Sequence, residues 1–196
     1  MQSPSLTLDE IDDLLYFTRV NEIEDLQQSI LELTQKYGCA PKDVILSGID
    51  PESGDTLLHY CSANGFVDLL KALLLQLTVQ SEVSNEESRG QIHVFPAPYV
   101  NTRNAQGNTA LHWASLNGHL EVAKILIDAG ADMWIKNVAG HLSIFEAERA
   151  GKGEVVEYLL EKGGLDLNPE DLADVPTDDP SSSNGVHHAN GDDDAQ

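Results

Sequence analysis

The hydrophobic positions fall into pairs of short helical blocks separated by glycine. After Thr7-x-x-Glu10, the reciprocal side-chain and backbone pattern that starts a helix, Ile11, Leu14, Leu15 and Thr18 continue at helical spacing. Glu22-Ile-Glu-Asp-Leu then leads into Ile30, Leu31 and Leu33, a second helix closed by Gly38. The same order returns in Gly54-Asp-Thr-Leu-Leu-His-Tyr-Cys-Ser-Ala-Asn-Gly65, followed by Val67, Leu69, Leu70, Leu73 and Leu74. It returns again in Gly107-Asn-Thr-Ala-Leu-His-Trp-Ala-Ser-Leu-Asn-Gly118 with Val122, Ile125 and Leu126 after it. A looser copy follows in Asn137-Val-Ala-Gly-His-Leu-Ser-Ile-Phe-Glu-Ala-Glu-Arg-Ala-Gly151, then Glu154-Val-Val-Glu-Tyr-Leu-Leu and Gly163. The pattern predicts an all-α chain of helix pairs.

The copies are periodic. Gly107 to Gly140 is 33 positions, and Gly54 to Gly107 is 53, one period of 33 plus an insertion of 20. Each signature residue has a mechanical task. Gly107 makes the turn, the Thr109 hydroxyl is placed to cap the first helix, and His112 is placed to reach the neighbouring turn. Asn117 and Gly118 end that helix, where the left-handed conformation is cheap only for Gly or Asn. This grammar resembles the ankyrin repeat. It implies a helix-turn-helix solenoid of about four repeats within residues 1–164: a cap repeat at 7–38 with a polar outer face, a repeat at 50–76, one at 104–136 and a degenerate one at 137–164, where Leu142 and Phe145 replace Thr109 and His112.

Between repeats the pattern lapses. Residues 39–53 form a connector in which Val44-Ile-Leu, bounded by Pro41 and Pro51, is expected to tuck onto the core as a turn of helix. Residues 77–100 are the insertion, expected to extend a helix and then form a long loop, since Pro96 and Pro98 do not continue a helix. Solenoids tolerate such insertions, and a binding element is the alternative. Cys39 and Cys61 lie in different repeats; Met1–Pro4 lacks the features of a secretory signal, so reduced thiols are expected. No apolar run has membrane-spanning length.

Charge changes the picture most. There are 33 acidic residues against 11 basic ones, a formal net charge of -22. After Lys162 no lysine or arginine occurs, while Asp166, Glu170, Asp171, Asp174, Asp178, Asp179 and Asp192-Asp-Asp do. Residues 165–196 are therefore expected to be a disordered acidic tail. Direct nucleic-acid binding is disfavoured, because phosphate recognition draws on clustered Lys and Arg. A basic partner is favoured, since the field speeds its encounter. An enzyme is not expected. His59 and His112 share one repeat position, so one structural role covers both; Asp55 beside His59 is explained by turn and cap; His187-His188 lie in the tail; and no zinc spacing, phosphate loop or nucleophile elbow occurs. No cofactor or metal is expected.

A repeat array of this kind exposes a concave face made by turn tips and first helices. The tips contribute Glu52, Asp55, Arg103, Gln106, Asn108, Lys136 and His141; the first helices contribute Tyr60, Asn64, Trp113, Leu116, Glu146 and Arg149, with Glu148 beside them. Tyr60 and Trp113 match in register and are anchor candidates or packing residues between repeats; Trp134 stands where a small polar residue is commoner.

The stretch Gly107–Gly118, the string Ile135-x-Asn137-x-x-Gly140-His141-x-x-Ile144-Phe-Glu-Ala-Glu148 and the acidic tail together resemble the fungal ankyrin-repeat chaperones of a small-subunit ribosomal protein. The likeness spans residues 50–165. It implies a chaperone that captures newly made ribosomal protein three, a strongly basic protein with a KH domain. As a monomer pairing with this client, it would shield the client's RNA-binding surface and escort it from cytoplasm to nucleus. The implied contact lays the client's basic N-terminal segment in the groove, with Tyr60 and Trp113 as anchors and Glu52, Asp55, Glu146 and Glu148 meeting its cations. With no Lys/Arg cluster here, nuclear entry would ride on the client. The alternative is a generic ankyrin adaptor in signalling or transcription.

Overall fold

A computed structural model describes residues 4–77, 79–80, 93–94 and 97–163 of the 196-residue chain. The chain divides into two units, 1–165 and 166–196. The second unit, and with it the expected acidic tail, lies outside the described residues, as does most of the insertion.

Among the described residues four helix pairs follow one another: α1 (Leu8–Arg19) with α2 (Ile23–Tyr37), α4 (Leu57–Asn64) with α5 (Val67–Leu77), α7 (Ala110–Asn117) with α8 (Leu120–Asp128), and α9 (Ser143–Arg149) with α10 (Gly153–Gly163). The first helices stack in sequence, α1 on α4, α4 on α7 and α7 on α9. They approach closely because Cys61, Ala114 and Ala147, at equivalent repeat positions, are small and fully buried. Leu57, Leu58, Leu111, Leu69, Leu70, Leu73, Val122, Leu126, Val155 and Leu159 fill the space behind them. Each such side chain contributes about 1.5–3 kcal/mol of burial.

The cap repeat starts as its sequence implies. The Thr7 hydroxyl accepts the Glu10 N–H at 3.3 Å, and the Thr7 N–H donates to Glu10 at 2.7 Å. Glu10 also receives Lys36 at 2.6 Å and the Tyr37 hydroxyl at 2.8 Å, which ties α2 to the start of α1. Burial alone would raise the Glu10 carboxyl, but Lys36, the Thr7 N–H and Tyr37 outweigh it and hold it at about 2.

The connector forms α3 (Pro41–Ser47), as the Val44-Ile-Leu pattern predicts, with Val44 and Ile45 fully buried. The insertion departs from expectation at both ends. Helix α5 stops at Leu77, and a two-residue antiparallel pair follows, β1 (Val79–Gln80) with β2 (His93–Val94), Val79 opposite Val94. Backbone pairing satisfies donors and acceptors that a loop would leave to water. Pro98 then sits inside the short helix α6 (Ala97–Val100), in its first turn, where the missing N–H is unused. The insertion also re-enters the core: Tyr99 and Val100 are buried, and the Tyr99 hydroxyl donates to the Ile45 carbonyl at 3.1 Å. That burial pushes the phenol well above its usual range.

Cys39 and Cys61 are unpaired, and Cys61 is fully buried, its thiol raised by loss of solvent. Among the described residues no helix is long and apolar enough to cross a membrane.

Candidate protein-binding face

Each turn tip is built on one side-chain oxygen at its start, from Asp50 four residues before Gly54 and from Asn104 and Asn137 three residues before Gly107 and Gly140. Asp50 accepts the Glu52 and Ser53 N–H groups at 2.9 and 3.1 Å; Asn104 accepts those of Gln106 and Asn108 at 3.0 and 2.9 Å; Asn137 accepts that of His141 at 2.9 Å. Successive tips are joined through the backbone, Ala105 N–H to Ser53 O at 2.8 Å and Val138 N–H to Gln106 O at 2.9 Å. Side chains repeat the join, Asn104 donating to Asp55 at 2.8 Å and Asn137 to Asn108 at 2.9 Å.

The two signature histidines lock the first helices to these tips. His112 Nδ1 accepts the Thr109 N–H at 3.1 Å, which fixes its proton on Nε2, and Nε2 donates to the His141 carbonyl of the next turn at 3.1 Å. His59 does the same with Thr56 and the Asn108 carbonyl. The cap is thus reversed from the expected one: the histidine side chain, rather than the threonine hydroxyl, takes an orphaned backbone N–H. Both imidazoles are 2 % exposed, and burial pushes both below the usual value. In the last repeat Phe145 replaces the histidine, and its ring lies 4.4 Å from that of His141.

The candidate residues separate by burial. Glu52, Asn64, Arg103, Gln106, Trp134, Lys136, Glu148 and Arg149 are exposed; Tyr60, Asn108, Trp113, Leu116 and His141 are half-buried; Asp55 and Glu146 are buried. The Asp55 carboxylate is turned onto Asn104. Glu146, 6 % exposed, accepts from Asn137 at 3.1 Å, His141 at 2.9 Å and Arg149 at 2.9 Å, so it gathers Asn108, His141 and Arg149 into one network. Burial alone would raise this carboxyl; the donors from His141 and Asn137 and the Arg149 charge hold it below its usual range. Arg103 ties its own turn to the next through the Gly107 and Lys136 carbonyls. Trp134 is 51 % exposed beside Gly163, at the end of the second helix of the last pair.

Tyr60 and Trp113 occupy equivalent positions on the adjacent helices α4 and α7. The Trp113 indole nitrogen is buried without a hydrogen-bond partner among the described residues. Tyr60 is engaged by two residues that sequence reasoning missed, Arg19 and Asp50. Its hydroxyl donates to Asp50 at 2.6 Å, and the Arg19 guanidinium lies 4.5 Å from its ring centroid. The repeat register did not mark Asp50, because it stands four positions before Gly54 where Asn104 and Asn137 stand three before Gly107 and Gly140; nothing in the pattern marks Arg19 either.

Residues 31–171 match the ankyrin-repeat family, described as ankyrin repeats in three copies. The chain is 34 % identical over 172 residues, 87 % of its length and 77 % of the relative's, to the ankyrin repeat-containing protein YAR1 of Saccharomyces cerevisiae. It belongs to the ankyrin-repeat family, in the YAR1 branch. The structure of the yeast ribosomal protein Rps3 in complex with its chaperone Yar1 contains a chain that this one matches with a TM-score of 0.64 at 34 % identity, covering 84 % of this chain and 98 % of that one. A more distant family member, the target of rapamycin complex 2 subunit AVO2 of the same yeast, is 25 % identical over 63 % of this chain and 33 % of its own length.

Proposed function

We propose that this chain is a dedicated chaperone of a small-subunit ribosomal protein, the counterpart of Rps3. It binds the newly made, strongly basic client, keeps it soluble and delivers it for ribosome assembly. The observation that carries the reading is the likeness to YAR1, which runs through most of both chains rather than through one repeat. The electrostatics agree with it. A net charge of -22 gives an attractive field for a basic protein and a repulsive one for RNA. The chain works by binding alone, holding the client's basic N-terminal segment against the stacked first helices, with exposed Glu52 and Glu148 available to its cations. It acts in the cytoplasm and enters the nucleus with its client.

The test is capture of partners from a nuclease-treated eukaryotic extract at low and moderate salt, with identification by mass spectrometry. One dominant basic ribosomal protein that is released as salt rises supports the reading, because ion pairs exposed to solvent are screened over about 10 Å at 0.1 M salt. A neutral or acidic partner that survives salt overturns it in favour of an adaptor. Imaging the tagged chain with and without client depletion tests the escort: nuclear signal that persists without client refutes carriage by the client.

A further inference from the structure

Where the cap repeat meets the first full repeat, an arginine is held by a tyrosine ring and a carboxylate. Arg19, at the last position of α1, donates from Nη2 to the Tyr60 hydroxyl at 2.8 Å and to Asp50 at 3.3 Å. Its guanidinium stacks on the Tyr60 ring at 4.5 Å. The Tyr60 hydroxyl donates in turn to Asp50, whose other carboxylate oxygen is held by the Glu52 and Ser53 N–H groups. The ring and carboxylate differ from the arginine in exposure. The Asp50 side chain is 14 % exposed and Tyr60 is half-buried, whereas the Arg19 side chain is 45 % exposed. Asp12, two turns back along α1, adds negative potential at the guanidinium.

We propose that the Tyr60–Asp50 pair is a binding site for an arginine side chain of a basic partner, and that Arg19 is an internal stand-in which the partner's arginine displaces. The proposal rests on the partner being basic, as the chaperone reading requires. Exchange replaces one guanidinium by another on the same ring and carboxylate, so the ring and carboxylate need no rearrangement. Arg19 keeps the ring and carboxylate in their binding geometry while the site is free. It also lowers apparent affinity by competing, since an occupied site reduces binding in proportion to the fraction left open.

Two measurements on the full chain decide it. In the first, N-acetyl-arginine amide is titrated into protein labelled on its tyrosine rings and followed by NMR, with the citrulline analogue as the uncharged control. The Tyr60 signals of Arg19→Ala are expected to shift saturably with the arginine probe, the wild type to respond several-fold more weakly, and the citrulline probe to have no effect. Absence of a Tyr60 response in folded Arg19→Ala overturns the proposal whatever the client is. Arg19→Gln serves if the alanine variant loses its circular dichroism signal.

In the second, affinity for the purified basic ribosomal protein is compared between Arg19→Ala and Lys124→Ala, which removes the same charge from α8. Arg19→Ala is expected to bind about two- to fivefold tighter than the control, the size of one exposed cation–π contact, and the gain is expected to vanish when Tyr60 is also alanine. Equal or weaker binding overturns the proposal and leaves Arg19 a plain staple between repeats. A wild type that binds no basic ribosomal protein instead removes the chaperone reading, and the NMR titration still decides the site.

Discussion

Replacing His112 by glutamine, and His59 in a parallel variant, isolates the acid sensitivity that the repeat signature builds into the stack. Each imidazole accepts a backbone N–H at Nδ1 and donates from Nε2 to the next turn. Protonation puts a second hydrogen where Nδ1 accepts the threonine N–H, so donor faces donor. Burial accordingly depresses both pKa values below the ordinary 6.5. The unfolded chain then takes up protons that the folded chain refuses. Stability from these groups is complete above pH 6.5 and is lost as pH falls from there towards each depressed value. Between about pH 7.5 and about pH 5.5 each histidine withdraws at most about 1.4 kcal/mol, and the pair about 2.7 kcal/mol. Relief of the whole-chain negative charge acts in the opposite direction on every variant alike, so the difference between variants is the quantity to read. Urea unfolding by linear extrapolation at several pH values supplies it. Each glutamine variant is expected to lose less stability than the wild type across the window, by up to that amount. Parallel curves for wild type and both variants would refute the depressed-imidazole account.

Other perturbations follow from the packing. Gly107→Ala is expected to destabilise more than Gly130→Ala in thermal unfolding: both backbones are left-handed, at φ +74° and +91°, but a Cβ at Gly107 meets the Val138 nitrogen at 2.9 Å and one at Gly130 meets nothing within 4 Å. The open site should lose about 1–2 kcal/mol, the usual penalty for that conformation. Tyr99→Phe removes one of two donors to the Ile45 carbonyl, the Gly48 N–H remaining, and should lower urea stability by about 0.5–1.5 kcal/mol, showing that the insertion ends inside the core. Glu146→Ala leaves the buried Asn137 amide short of an acceptor, while the half-buried His141 and exposed Arg149 side chains turn to water, and is expected to cost about 1–3 kcal/mol. If client affinity falls with no loss of stability, Glu146 is a contact residue rather than the keystone of the last turn.

The repeat count, the helix pairs and the roles of His59 and His112 in locking turn to helix were legible because a repeat of about 33 residues must satisfy its own backbone within each copy. The same logic failed where copies differ. The insertion read as a loop on composition, since a sequence window does not reveal that Tyr99 finds Ile45, 54 positions earlier. At the candidate face, residue type and register located Tyr60, Trp113 and Glu146 on the first helices. They did not disclose that Asp55 and Glu146 are already satisfied by Asn104 and by Asn137, His141 and Arg149. Exposure of a carboxylate depends on the neighbouring repeat, and the repeat signature is written within one.

By itself the sequence determined that this is an ankyrin stack with a strong negative charge, because period, turn residues and charge are properties of the chain read locally or summed over it. Only the tertiary structure decided which polar groups remain free for a partner. Arg19 and Asp50 are separated by 31 positions and Arg19 and Tyr60 by 41, and their junction exists only once the cap repeat is packed on the next one. Charge sums without reference to place, whereas hydrogen bonds and cation–π contacts require atoms within a few ångströms, and that proximity is made by the stacking of repeats.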